Sequence, residues 1–281
     1  MTPLQKDLPT PNVRIRELLG SAATERVSER GDAIVVDGLA KRYPNGTEAV
    51  RGISFRVRAG EVFGILGPNG AGKSTTIGML GTLVQPTSGS ASVVGHDVVR
   101  EPRQVRRRIG FAMQEVGVDD LATGAELLVL HGRLHGLSRR EATRRASLLL
   151  DLVGIGEAAG RRMGEYSGGM KRRVDLASAL IHLPPVLFID EPTDGLDPHG
   201  RAAIWTALDR LKAELGMTIL MTTHFMEEAD RLCDRIAIVH HGRIVVEGTP
   251  DELKGQIGAA DVVTLEDVYL HSTGRELEVA A

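Results

Sequence analysis

Glu61-Val62-Phe63-Gly64-Ile65-Leu66-Gly67-Pro68-Asn69-Gly70-Ala71-Gly72-Lys73-Ser74 decides how the rest of the chain is read. An apolar run breaks into three glycines within six positions, ends on Lys-Ser, and is followed by apolar residues at near-helical spacing through Leu83. The order strand, glycine-rich turn, helix gives meaning to the pattern G-x-x-x-x-G-K-[ST]. Glycines let the loop wrap until consecutive N–H groups converge on an anion, and the positive end of the following helix adds to the attraction. Lys73 is placed to reach the outer phosphates of a nucleotide, the Ser74 hydroxyl to bind Mg²⁺, and Thr75 stands one step further into the helix. Gly67, Pro68, Asn69, Gly70, Ala71 and Gly72 form the cradle.

Working outward, the first thirty-one residues are polar, with Pro3, Pro9 and Pro11 among mixed charges, and are expected to be a mobile or only locally helical extension. Ala33-Ile34-Val35-Val36 predicts a strand. Ile53-Ser54-Phe55-Arg56-Val57-Arg58 alternates with period 2, as a half-exposed antiparallel strand does. From Leu121 to about Val153 apolar residues recur among Arg, Glu and Ala, which predicts two or three helices. Beyond it strands and helices alternate: Val186–Ile189, a helix from about Gly200 to Leu215, Thr218–Met221, a helix around Met226 to Cys233, and Arg235–Val239. Apolar strands separated by helices imply a parallel sheet covered on both faces. His240-His241-Gly242-Arg243 reads as the turn into Ile244-Val245-Val246-Glu247.

Val186-Leu187-Phe188-Ile189-Asp190-Glu191 carries a second signal, because a buried strand rarely ends in acids unless they are paired or bind metal. Asp190 is placed to hold Mg²⁺ beside the phosphate loop. Glu191 is placed to orient or deprotonate an attacking water.

Composition removes other classes. In 281 residues, 34 basic side chains face 37 acidic ones for a formal net charge of −3, so no global electrostatic case for nucleic acid exists. Aromatics are only 3%, so Val, Leu, Ile and Ala must build the core. The single cysteine, Cys233, excludes an intrachain disulfide, fits a reducing compartment, and is read as a packed apolar residue. The best apolar run, Val174 to Ile189, is interrupted by Asp175, His182 and Pro184-Pro185, and the amino terminus lacks an apolar signal core. A soluble intracellular protein is expected unless a partner holds it at a membrane. Arg103, Arg106, Arg107 and Arg108 read as a solvated face, and His131, His135, His240 and His241 lack the spacing of a zinc site.

Twenty-three residues before Asp190, Tyr166-Ser167-Gly168-Gly169-Met170 resembles the signature motif of the ATP-binding-cassette (ABC) ATPases, usually Leu-Ser-Gly-Gly-Gln. The remaining motifs follow in the family's order. Gln114 looks like the Q-loop glutamine, a nucleotide and metal contact, and Gly195-Leu196-Asp197-Pro198 matches the D-loop. His224 matches the switch histidine, and Tyr43 the aromatic that stacks on adenine. Met170 departs from the pattern by lacking a side-chain amide, which leaves Ser167, Gly168 and Gly169 as the signature's phosphate contacts.

The resemblance implies an α/β phosphate-loop cassette over residues 32–255, with a RecA-like core, an antiparallel β portion and a helical lobe at about 115–170. Residues 256–281 would form a short extension. It further implies a MgATP-hydrolysing homodimer in which Lys73, Glu191 and His224 act on a nucleotide closed off by the partner's signature serine, a separate transmembrane permease, and a place on the cytoplasmic face of the membrane. Only 94 residues separate Lys73 from Ser167, too few for the long coiled coil of chromosome-associated relatives. The chain holds one cassette, and 57 residues follow His224, too few for an appended regulatory domain. Thr82–Gly89, Leu130–Ser138 and Leu265-Glu266-Asp267-Val268-Tyr269-Leu270 resemble the daunorubicin/doxorubicin-resistance type of ATP-binding subunit, which implies an exporter of drugs or lipids. The alternative is a non-transport cassette that regulates a soluble or nucleic-acid partner.

Overall fold

The computed structural model describes residues 31–113, 120–258 and 263–279. Expectations about residues 1–30, and about Gln114, fall outside the described residues.

Two sheets carry the architecture. The first is antiparallel, in the order β2-β1-β4-β5, from β1 (Asp32–Arg42), β2 (Glu48–Arg58), β4 (Ser88–Val93) and β5 (His96–Asp97). The alternation seen in the sequence of β2 is its burial pattern: Ile53, Phe55 and Val57 point inward and the residues between them outward. β1 runs six residues past the β-branched run, through a register shift near Gly38, whose φ is +58°.

The second sheet has the order β10-β9-β3-β8-β7-β6 and is parallel except for its last hairpin. Its strands are β3 (Val62–Leu66), β6 (Ile109–Ala112), β7 (Val186–Asp190), β8 (Thr218–Thr223), β9 (Arg235–His240) and β10 (Arg243–Gly248). It is the wall between two apolar cores. Along β3, Val62 and Leu66 enter one core, Phe63 and Ile65 the other; along β7, Leu187 and Ile189 oppose Val186 and Phe188. A strand buried on both faces reads as a continuous apolar run, and these do. Phe55 of the first sheet stacks on Phe63 of the second at 5.2 Å, which joins the sheets through one core. His241 and Gly242, both at positive φ, make the tight turn between β9 and β10.

Helix α1 (Lys73–Leu80) leaves the phosphate loop and fills the core between the sheets with Ile77, Met79 and Leu80. It stops short of the expected Leu83. A Cβ at Gly81 would lie 2.4 Å from the Phe111 ring, and Thr82 has φ +62°, so the chain turns away. A short helix, α2 (Pro102–Arg108), leads into β6.

The other core is closed by α3 (Gly124–Leu134), α4 (Arg139–Leu152) and α5 (Gly168–Ala179). Thr123 and Glu126 form a reciprocal capping box that starts α3, and Ser138 caps α4 by accepting from Glu141 N at 3.2 Å. α3 and α4 meet where Gly132 faces Ala142. α6 (Pro198–Leu215) and α7 (Met226–Leu232) cover the same face of the parallel sheet. α8 (Pro250–Gly255) and α9 (Leu265–Val279) follow β10, and the Tyr269 hydroxyl meets His240 Nδ1 at 3.0 Å. Among the described residues no helix is long and apolar enough to cross a membrane.

Candidate functional site

The parallel sheet places its functional residues at one edge, where β3, β7 and β8 all end. The phosphate loop leaves β3 there and closes on α1 through Gly72, whose φ of +103° is open to glycine at little cost. A Cβ on Gly72 would stand 2.2 Å from the Ala49 carbonyl oxygen, and one on Gly67 would stand 2.3 Å from that of Val239. These glycines are therefore required by close backbone approach. The N-cap of α1 is Gly72, and among the described residues no side chain caps the helix start, where the first N–H groups lack intrahelical partners.

Lys73, the first residue of α1, is 4% exposed. Its ammonium donates to the carbonyls of Gly67 at 2.9 Å and Pro68 at 3.1 Å, and lies 3.0 Å from Glu191 Oε1. The loop is thus folded around its own lysine. The next residue, Ser74, donates its hydroxyl to Asp190 Oδ1 at 3.2 Å. A hydroxyl and a carboxylate facing each other are hard oxygen donors, the set that suits Mg²⁺, so the residues present fit the ion implied by the sequence. The Tyr43 hydroxyl lies 3.4 Å from Thr75 Oγ1, beside the first turn of α1.

β7 delivers the acids. Asp190 ends the strand opposite Thr222 of β8, and the Thr222 hydroxyl donates a short hydrogen bond to Asp190 Oδ1. The same hydroxyl accepts the Glu191 N–H at 3.0 Å. Glu191 itself has φ +47°, a left-handed conformation that costs a non-glycine residue about 1–2 kcal/mol. This backbone turn keeps the carboxylate inside, with one oxygen toward Lys73 and the other 3.2 Å from His224 Nδ1. His224 follows β8 directly, packs on the Phe225 ring, and has Asp194 Oδ1 3.9 Å from its other nitrogen. Lys73, Glu191 and His224 therefore form one chain of contacts from the phosphate loop to the end of β8. Strained backbone of this kind persists where the surroundings over-determine it, as at functional sites.

Ser167 and Gly168 lie apart from that chain and are exposed. The Ser167 hydroxyl caps α5 by accepting from Met170 N at 3.3 Å. Asp197 caps α6 in the same way, accepting from Gly200 N at 2.7 Å. The two helix starts touch: a Cβ on Gly169 would sit 3.3 Å from Gly200 Cα. The sequence reading missed Thr222, Asp194 and Arg172. Arg172, only 4% exposed, donates to the carbonyls of Asp190 and Pro192 at 2.7 and 3.2 Å.

Known proteins match this arrangement. Residues 50–194 match the family described as ABC transporter. The daunorubicin/doxorubicin resistance ATP-binding protein DrrA of Streptomyces peucetius is 52% identical over 227 residues, covering 81% of this chain and 68% of its own. A solved ATP-binding subunit of an ABC transporter superposes with a TM-score of 0.74 at 31% identity, over 86% of this chain and 99% of that one. A dimeric ATP-binding cassette in a post-hydrolysis state, bound to ADP and Pi, superposes at 0.70 and 28% identity, over 77% and 98%. A phosphate loop, a signature helix and a carboxylate pair in this order, on this fold, with half of the 227 aligned residues identical to DrrA, show that the chain belongs to the ABC transporter ATP-binding family and is an ATPase.

Proposed function

We propose that the chain is the energy-coupling subunit of an exporter, hydrolysing MgATP as a homodimer and driving a separate transmembrane permease. The chain of contacts from Lys73 through Glu191 to His224, at 3.0 and 3.2 Å, carries this reading. Lys73 and the loop N–H groups bind the β- and γ-phosphates, and the Tyr43 ring stacks on adenine. Ser74 and Asp190 would hold the magnesium ion, which neutralises phosphate charge when bound. With Lys73 drawn to phosphate, Glu191 is released to accept a proton from a water in line with the γ-phosphate, and His224 steadies that water and the phosphate oxygens.

The exposed signature supports the dimer. Ser167 and Gly168 stand exposed at the start of α5, with Gly169 buried behind them, and a two-fold arrangement would place this helix start on the nucleotide of a second copy, making both sites at once. Asp197, at the start of α6 against the signature, would line the same interface. Export of a drug or lipid is inferred from the similarity to DrrA, and the permease would hold the chain at the cytoplasmic face of the membrane. The Glu191→Gln variant is expected to retain ATP and elute as a dimer in MgATP and as a monomer without it. A chain of about six apolar spans is expected to co-purify from membranes. A monomeric Glu191→Gln protein at saturating MgATP overturns the dimer, and a purely soluble complex overturns the transport reading.

A further inference from the structure

Arg172 is a buried cation that the proposed hydrolysis chemistry does not use. It stands in the second turn of α5, five residues beyond Ser167, about 7–8 Å along the helix from the signature serine. Its guanidinium reaches three backbone carbonyls at the end of the sheet. β6 and β7 are last in register at Ala112 and Ile189, and just beyond that point Arg172 donates to Met113 O by a short hydrogen bond and to Asp190 O at 2.7 Å. It also donates to Pro192 O at 3.2 Å, and Asp175 Oδ2 on the next turn stands 3.3 Å away. Buried backbone carbonyls need partners, and a planar fork spreads five N–H donors over three nitrogens, so one side chain reaches three separated carbonyls, whereas an ammonium holds its three donors on one atom.

These carbonyls are not scattered. Met113 enters the segment that carries Gln114, Asp190 ends the strand beside Ser74, and Pro192 follows Glu191. We propose that Arg172 is a positioning residue that ties the signature helix to the end of the catalytic strand, so that the two ATP sites of a dimer move together. The between-site part rests on the dimer proposed above. Glu191 would act on the nucleotide of its own chain and Ser167 on the partner's. A rigid tie between them means that a shift of β7 at one site displaces the serine offered to the other. Coupling of this kind needs a physical element shared by both sites, and the α5–Arg172–β7 contact is one.

The test compares Arg172→Met, which keeps a long apolar stem and loses every donor, with Arg172→Lys, which keeps the charge but gathers its three donors on one atom in place of the spread of the planar fork. Three measurements are made: MgATP affinity by calorimetry, steady-state hydrolysis, and the ATP concentration for half-maximal dimer in the Glu191→Gln background. The tie predicts that Arg172→Met keeps its ATP Kd within about threefold. It predicts that kcat falls and the dimer midpoint rises by about tenfold or more, and that Arg172→Lys recovers part of both. A kcat within about twofold of the parent in Arg172→Met overturns the proposal, as does ATP affinity lost in step with kcat, or a lysine variant no better than methionine. If Arg172→Met precipitates, Arg172→Lys decides alone: affinity kept with reduced kcat supports the tie, and affinity lost in step overturns it. If Glu191→Gln itself stays monomeric, the dimer reading and the between-site coupling fall together. The split between kcat and affinity then judges the tie within one chain.

Discussion

Glu191→Gln is expected to bind a non-hydrolysable MgATP analogue more tightly than the parent, even though it removes the proposed base. Lys73 sits 3.0 Å from Glu191 Oε1, and both side chains are almost wholly buried. At an effective dielectric of about 20, two unit charges at that distance attract by about 5 kcal/mol. Much of this is offset by the cost of taking both ions out of water, and the ammonium keeps two carbonyl partners, Gly67 and Pro68, when the acid is gone. If a quarter of the attraction survives as competition with phosphate for the ammonium, the variant gains a little over 1 kcal/mol, or about tenfold in Kd. Neutralising an acid that faces the γ-phosphate acts in the same direction. Titration calorimetry on the two proteins measures the sum, and repeating the pair in a Lys73→Met background separates the parts. The portion that vanishes without Lys73 is the competition, and the portion that remains is direct repulsion. Because the pair is buried, the gain should change little with added salt. Hydrolysis should meanwhile fall by about 10²–10⁴, the usual loss for a positioned base. Equal or weaker binding by Glu191→Gln would refute the idea that Lys73 is shared between Glu191 and phosphate.

Two further outcomes are expected. Tyr43→Ala should raise the KM for ATP about tenfold, since stacking on a base is worth about 1–3 kcal/mol, while Tyr43→Phe should stay within about twofold because its hydroxyl only grazes Thr75 at 3.4 Å. A Tyr43→Ala protein with unchanged KM removes adenine stacking from the site. His182 is pushed down to about 4, first by burial and then by the neighbouring His135, with Arg145 in the same direction, while its bond to Ile109 O pulls the other way. The unfolded chain takes up that proton first as pH falls, so the contribution is complete above about pH 6.5 and is lost between there and pH 4. His182→Gln should flatten the fall of Tm between pH 7.5 and 5, measured by scanning fluorimetry. An unchanged slope means that other groups dominate the acid lability.

The chemistry was legible wherever it rested on local sequence. Gly67–Ser74 announces itself because strand, glycine turn and helix are consecutive in the chain, and Asp190-Glu191 stands out because acids at the end of an apolar strand need a reason. What the sequence hides is register and rotation. Thr222 is an ordinary strand threonine until the pairing of β7 with β8 sets it opposite Asp190, and Asp194 meets His224 only because two loops leave the same sheet edge. The positive φ of Glu191 has no local signal, since nothing in the residue itself favours it.

Lys171-Arg172-Arg173 shows the limit most sharply. As text it is a basic run like the one at Arg106–Arg108, which stays largely exposed on α2. On α5 each step turns the helix by about 100°, so three similar side chains leave in three directions. Lys171 pairs with Asp120 at 2.7 Å on the surface, Arg173 donates to the carbonyls of Val153 at 3.2 Å and Gly154 at 2.9 Å, and Arg172 enters the sheet edge. Only the rotation of α5 about its axis distinguishes them. That rotation is fixed by Val174, Leu176 and Ala177 packing against the core, remote in sequence from the residues Arg172 serves. The same apolar stripe therefore fixes where Ser167 faces and where Arg172 points. A change in this packing that rotated α5 by even a fraction of a turn would move the signature serine and the carbonyl tie together.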